Sequence, residues 1–522
     1  MNKLRHLALM LVFAGASPAF AAPTCGTLAH LHIAASAIGL PSRGAVIDSA
    51  ADHPVEADIP ETCRVIGQII AVGADVPPIR FEVNLPHDWN GKALHFGGGG
   101  LDGVLVDGLH AMPGNGPVTH SPANPLARGF ATFGSDGGHQ GTNPGDAAFG
   151  RIPQARANYA GEAVKRTHDA AVAVIASFYG SAPRRMYFAG GSKGGHEGLV
   201  AAQRYGADYD GVIAYYPAKD SVALVFAWGA LSQAAYGPNG GALSVAKQQF
   251  LKHAVMQACD ALDGVADGII SDTTACAATI APVSLRCASG AADTSACLTD
   301  AEIRLLDLGL TRQAMPYPLA NGVASIGPFP VMNGPAFTGI LLSPNGPDAT
   351  LYSAFNNGVI RNFWTHDDTA QFATLDLQKL HDVILAYSRE SDATSVDLDL
   401  FAAHGGKLIV VQGSTDMLVP PAATTDYVAR LGARYGLRTG GLVRYFVQPG
   451  YGHGAGDFLL TWDSLGALDA WVETGSFPAN PVASDGNAAT RDRQMPLCEY
   501  PAYPRYTGGD ARLATSFACV TR

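Results

Sequence analysis

One pentapeptide, Gly190-Gly191-Ser192-Lys193-Gly194, constrains this chain more than any other feature. The residues before it, Arg185 to Ala189, read as a short strand, and Gly195 to Tyr205 reads as a helix. The five residues between must therefore turn a strand into a helix. Such a turn strains the backbone at its centre, which small flanking residues permit, and it lifts the serine hydroxyl off the end of the sheet. A bare G-x-S-x-G occurs by chance in glycine-rich loops. The strand–turn–helix context makes Ser192 a candidate nucleophile, and this is the chain's only such pentapeptide.

The rest of the chain agrees with that context. Phe81 to Leu85 and Ala93 to Phe96 read as strands, Glu162 to Tyr179 as a helix, and Lys407 to Val411 and Val443 to Val447 as further β-rich strands. Alternation of this kind argues for a mostly parallel α/β sheet with flanking helices. Between residues 219 and 394 the rhythm is lost among prolines 316, 318, 328, 330, 335, 344 and 347. That stretch reads as an inserted lid domain, splitting a catalytic domain of residues 23–218 and 395–522. Within it, Thr299 with Glu302 three residues later reads as a capping box. The fold class is then an α/β-hydrolase with a large insertion.

A serine hydroxyl needs a base, and the base needs an orienting acid; in this fold the chain order is Ser, acid, His. Asp416 follows the strand ending at Val411, and His453 sits in the glycine-rich loop Pro449 to Gly456 after the last strand. Singly, each reads equally well as a loop residue; in order at strand ends they read as Ser192–Asp416–His453. Acyl transfer also needs two N–H donors for the oxyanion. Lys193 supplies one through its backbone, and Gly100 of Gly97-Gly98-Gly99-Gly100 is the candidate for the other.

Composition decides compartment and partners. Lys3 and Arg5, the apolar run Leu7 to Phe13 and Ala19-Phe20-Ala21 read as a cleavable signal peptide over residues 1–22, too short to span a bilayer. Its loss takes the formal net charge from −11 to −13. Without a basic block, nucleic acid and anionic membranes are not expected partners. All eight cysteines fall in the mature part, and an even count in an exported chain favours disulfides, with 105 pairings open to eight. The expected location is secreted or periplasmic.

Beyond these features the sequence resembles the tannase/feruloyl esterase family. The resemblance is carried by the GGGG loop, Thr132-Phe133-Gly134-Ser135-Asp136-Gly137-Gly138-His139, the GGSKGG turn, and Pro496-Leu497-Cys498-Glu499-Tyr500-Pro501 with Cys519. It implies disulfides Cys25–Cys63, Cys259–Cys276, Cys287–Cys297 and Cys498–Cys519. Its most specific element is Cys259 to Ile269, similar to the family's lid calcium loop. Three carboxylates within eight residues repel unless a hard cation neutralises them, and Ca²⁺ takes carboxylate and carbonyl oxygens together. The resemblance implies side-chain ligands Asp260, Asp263 and Asp267 and main-chain ligands Val265 and Ile269, in a structural site remote from Ser192. Without a metal the stretch is an acidic solvated loop.

Members carry a cysteine before the serine and another after the histidine, bonded beneath the active site. Here those positions are Gly191 and Gly454. A cysteine pair restored there is expected to bridge without moving the catalytic residues.

The family hydrolyses esters of aromatic acids: gallates, ferulates, chlorogenate and, in one branch, mono(2-hydroxyethyl) terephthalate. The implied substrate is a small aromatic ester, with Phe355, Phe363 and Trp364 as candidate walls of the acyl pocket. Arg361 is the nearest candidate for gripping a terephthalate carboxylate. A feruloyl esterase- or tannase-like hydrolase is the leading reading and a terephthalate half-ester hydrolase the alternative. From other classes come an inactive calcium-stabilised binding protein, which the complete Ser–Asp–His series argues against, and a protease of the same fold.

Overall fold

The computed structural model describes residues 24–57, 59–109, 124–143, 145–288, 295–491 and 493–522. The expected signal peptide, residues 1–22, lies outside the described residues. Ten strands form the main sheet. In chain order the first eight are β1 (His32–Ile33), β2 (Ala45–His53), β3 (Thr62–Ile69), β4 (Ile79–Pro86), β5 (Lys92–Phe96), β6 (Ala131–Ser135), β7 (Arg185–Gly191) and β8 (Gly211–Tyr215). Lys407–Gly413 and Val443–Gln448 complete it. Their spatial order is β1-β2-β3-β4-β6-β5-β7-β8, then the Lys407 and Val443 strands. From β6 to the Val443 strand all pairings are parallel, and from β1 to β6 through β4 they are antiparallel.

The parallel strands are buried on both faces, which is why they read as apolar runs rather than alternating ones. Successive side chains point to opposite faces. Met186 and Phe188 of β7, Val212 and Ala214 of β8, and Leu408 and Val410 join one core with the helices Ala163–Tyr179 and Pro421–Tyr435. Tyr187, Ala189, Ile213, Tyr215, Ile409 and Val411 join the other with the helix Ser464–Thr474. The central parallel strands end at one edge, and there β7 delivers Ser192 to the helix Lys193–Arg204.

β8 and the Lys407 strand are neighbours in the sheet, yet 191 residues separate Tyr215 from Lys407. Most of that length builds its own core. Ser221–Tyr236, Val245–Cys259, Asp300–Leu310, Leu351–Val359 and His381–Ser391 pack around Leu224, Trp228, Leu306, Tyr352 and Ile360. Four disulfides are present, Cys25–Cys63, Cys259–Cys276, Cys287–Cys297 and Cys498–Cys519, the pairings that the resemblance implies. Among the described residues no helix is long and apolar enough to cross a membrane.

The helix Asp300–Leu310 starts on a capping box. The Thr299 hydroxyl accepts the Glu302 N–H at 3.4 Å, and Glu302 accepts the Thr299 N–H at 2.8 Å. Glu302 also pairs with buried Lys247 at 2.6 Å. Thr299→Ala is expected to lower the stability of the inserted segment by about 1 kcal/mol, the usual cost of losing an N-cap side chain. Urea unfolding checks this, and an unchanged midpoint would contradict it.

Candidate active site

At the end of β7 the Ser192 backbone takes φ 59° and ψ −118°, a conformation a non-glycine residue adopts only when its surroundings impose it. The surroundings are glycines in backbone-to-backbone contact. A Cβ on Gly97 would fall 2.6 Å from the Gly194 Cα, which brings the glycine loop after β5 directly against the first turn of the helix after Ser192. The Ser192 N–H donates to the Tyr215 carbonyl at 3.0 Å, and its own carbonyl accepts from His196 and Ala218.

The acid and the histidine are joined. His453 Nδ1–H donates to Asp416 Oδ2 at 2.9 Å. Asp416 is fully buried, and a buried carboxylate needs donors. It receives them from the Leu418 and Val419 N–H groups at 2.8 and 2.9 Å and from Gln412 Nε2 at 3.0 Å. The two loops are also stitched together: the Thr415 hydroxyl donates to the Tyr451 carbonyl and the Gly450 N–H to the Ser414 hydroxyl. This fixes the Nδ1–H tautomer and leaves Nε2 as the basic nitrogen.

Ser192, Lys193 and Gly100 line one cavity of about 60 Å³, together with Leu101, Tyr159, Leu224, Trp228, Phe355 and Tyr387 among others. Lys193 opens its helix, so its N–H is among the first-turn donors without an intrahelical acceptor. Gly100 has φ 61°, where a side chain would be strained.

Of the three expected wall residues, only Phe355 lines this cavity. Phe363 is buried against Phe149, Tyr159 and Tyr387, and Trp364 against Phe226. The reason is helical phase. Phe355 and Val359 lie one turn apart on the pocket side, whereas the helix widens into a π turn from Ile360 and carries the next aromatics into the inserted core. Arg361 does not line the cavity either; its Nε donates to the Ala370 carbonyl. Sequence reading missed Trp228, Leu224, Tyr159 and Tyr387. The first two belong to an apolar helix with no polar face to betray its orientation.

The position of the absent cysteine pair is occupied. A Cβ on Gly191 would lie 2.8 Å from Tyr216 Cε2, and the Tyr216 ring is 4.5 Å from the His453 ring. Tyr216 is fully buried and hydrogen-bonded to Tyr451. Gly454 has φ 73°, which resists any side chain. A cysteine at 191 would therefore require the Tyr216 ring to shift before any bridge to position 454 could form.

In the acidic loop, Asp260 accepts the N–H groups of Asp267 and Gly268, Asp263 that of Val265, and Asp267 that of Ile269. One oxygen of Asp263 and one of Asp267 are buried without a donor. Burial pushes both carboxyls up, Asp267 to about 6, with the neighbouring carboxylates adding to it. A cation would relieve that cost, so the residues suit one, although the three carboxylates do not all lie within 4.8 Å of one another. Nor is the loop isolated from the Pro449–Gly456 loop. Ile269 packs where a Cβ on Gly450 would sit, 2.6 Å from its Cδ1, three residues before His453.

The family model described as "Tannase and feruloyl esterase" matches residues 63–520. An uncharacterised esterase of Agrobacterium fabrum is 36% identical, covering 97% of this chain and 94% of its own length. Mono(2-hydroxyethyl) terephthalate hydrolase of Piscinibacter sakaiensis is 31% identical, covering 91% and 87%. Among solved structures, feruloyl esterase B from Aspergillus oryzae superposes with a TM-score of 0.76 at 22% identity, over 91% of this chain and 97% of that one, a likeness of fold.

Gly191→Ala is expected to push the Tyr216 ring against His453 and lower kcat about tenfold or more, since small misplacements of a reacting group reach ~10²-fold. Steady-state kinetics on an aryl ester checks this; unchanged kcat would show that the ring yields freely.

Proposed function

This chain belongs to the tannase and feruloyl esterase family, and from that premise we propose that it is an exported serine hydrolase of aromatic, phenolic acid esters. His453 takes the Ser192 proton, and Ser192 Oγ attacks the ester carbonyl. The oxyanion is received by the N–H groups of Lys193 and Gly100, and the alcohol leaves with the proton. Water, activated by the same imidazole, then releases the acid. The observation that carries this reading is that one cavity is lined by Ser192, Lys193 and Gly100 together with Trp228, Phe355 and Leu224. Aromatic and aliphatic walls suit a planar acyl group, and four disulfides suit an oxidising compartment.

The inserted segment acts as the lid in this reading, with residues 219–394 as its extent. Asp260, Asp263 and Asp267, with the Val265 and Ile269 carbonyls, would hold Ca²⁺, which supplies charge neutralisation and no chemistry.

Identity with the terephthalate half-ester hydrolase favours that substrate as a second reading. Against it, Lys193 is the only cation lining the cavity among the described residues, and its ammonium is committed to the Tyr159 carbonyl at 2.7 Å and Glu197 at 3.2 Å. A free acyl carboxylate would compete with those contacts, whereas a neutral phenolic ring needs no cation.

Ser192→Ala is expected to abolish hydrolysis of methyl ferulate, with a loss on the order of 10⁶-fold in kcat and an unchanged fold. Retention of a tenth of the activity would sink the nucleophile assignment, whereas a wild-type chain that hydrolyses none of these esters would favour a binding protein. A parallel screen of methyl gallate, chlorogenate and mono(2-hydroxyethyl) terephthalate should rank the last lowest; the reverse ranking selects the second reading.

Chelation is expected to lower the melting temperature, with recovery on adding Ca²⁺, because the acidic residues are left unneutralised. A melt indifferent to both, with no metal by elemental analysis, would remove the calcium site.

A further inference from the structure

Behind the glycine loop lies a charged cluster that the proposed reaction does not use. Lys193, Glu197 and Asp102 are each at least nine-tenths buried. Lys193 Nζ stands 3.2 Å from Glu197 Oε1 and 3.7 Å from Asp102 Oδ2. Burying three ionisable groups is costly unless each is paired or neutralised. Two carboxyls share one ammonium, so only one of them can be ionised at low cost. Burial and the nearby Glu197 push the Asp102 carboxyl well up.

Glu197 has a second contact. Its Oε2 accepts the Gly98 N–H at 2.8 Å in a buried position. Gly98 lies two residues before Gly100, and the Gly99 carbonyl accepts the Asp102 N–H at 2.9 Å to close the turn between them. The Asp102 carboxyl fills the inside of that turn, since a Cβ on Gly98 or Gly137 would strike it. Glu197 is thus bonded at one oxygen to the loop that carries Gly100 and at the other to the side chain of Lys193. These are the two residues that line the cavity beside Ser192.

We propose that Glu197 is a positioning residue of the oxyanion hole, its carboxylate holding the Gly97–Gly100 loop against the start of the Lys193 helix through the Gly98 N–H and the Lys193 ammonium. The inference rests on the serine-esterase reading. Its physical content is preorganisation: oxyanion donors lower the barrier only when held where the oxyanion forms, and a loop of four glycines has little stiffness of its own.

The test separates reach from charge. Glu197→Gln keeps one acceptor at the right length, so its amide oxygen still serves the Gly98 N–H while the Lys193 contact is given up, whereas Glu197→Asp keeps the charge but withdraws it by one methylene. The expected result is kcat within about fivefold of wild type for Glu197→Gln and a loss of at least about tenfold for Glu197→Asp, with KM within about twofold in both; loss of a whole oxyanion donor costs ~10²–10³. Phenylboronic acid, which forms a tetrahedral adduct on a nucleophilic serine, should weaken in parallel with kcat, while inhibition by benzoate should not change. The proposal is overturned if Glu197→Asp retains wild-type kcat. It is equally overturned if the order of the two variants is reversed, or if boronate and benzoate weaken together with a fall in melting temperature, which marks a merely structural residue. Ser192→Ala run alongside keeps the failures distinct: an active Ser192→Ala enzyme refutes the underlying reading, whereas an inactive one leaves the Glu197 variants to decide.

Discussion

The structure depends on one close approach, that of the Gly97–Gly100 loop to the first turn of the helix after Ser192. At 2.6 Å from a hypothetical Cβ on Gly97, the Gly194 Cα leaves no room for side chains on either partner. Glycines at 97, 98, 190, 194 and 195 are therefore a packing requirement before they are a matter of flexibility. The contact holds Ser192 at φ 59° and places Lys193 and Gly100 on one cavity wall. Backbone strain of this kind costs on the order of 1–3 kcal/mol and persists only where neighbours over-determine it.

Around that contact the molecule uses two kinds of support. The sheet gives rigidity: β5, β7 and β8 are buried on both faces, and their parallel register ends them together. The loops beyond the sheet are held by polar bonds instead. Asp416 takes four of them, and the turn around Ser414 and Thr415 is bonded to the histidine loop at Gly450 and Tyr451. Tyr216 fills the remaining space between Gly191 and the His453 ring. A buried aromatic is a softer brace than a covalent bridge, since it can shift without breaking a bond.

The inserted segment ties its own core to the same site. Trp228 Nε1 donates to the Leu418 carbonyl, two residues from Asp416, and Asn333 Nδ2 donates to the Ser414 carbonyl. Ile269 of the acidic loop leans on Gly450. The walls of the cavity beside Ser192 and the Asp416 and His453 loops therefore share supports. The Ile269 contact thus packs the acidic loop against the histidine loop.

Much of this was legible in the residues. Local pattern determined the strand–turn–helix at Ser192, the alternation of strands and helices and the capping box at Thr299, because each depends on neighbours within a few positions. The family resemblance supplied the disulfide pairing, which spacing alone left open. What only the tertiary structure decided involves partners far apart in sequence. Which aromatics face the cavity turned on the phase of Leu351–Val359 and on how Ser221–Tyr236 packs, so Phe355 lines it while Phe363 and Trp364 do not. The room beside Gly191 was settled by Tyr216, from the next strand's end. The charged cluster behind the Gly97–Gly100 loop was settled by Asp102 and Glu197, 95 residues apart in the chain. Such juxtapositions leave no local trace in a sequence, since the burial that gives these groups their role exists only once distant segments have packed.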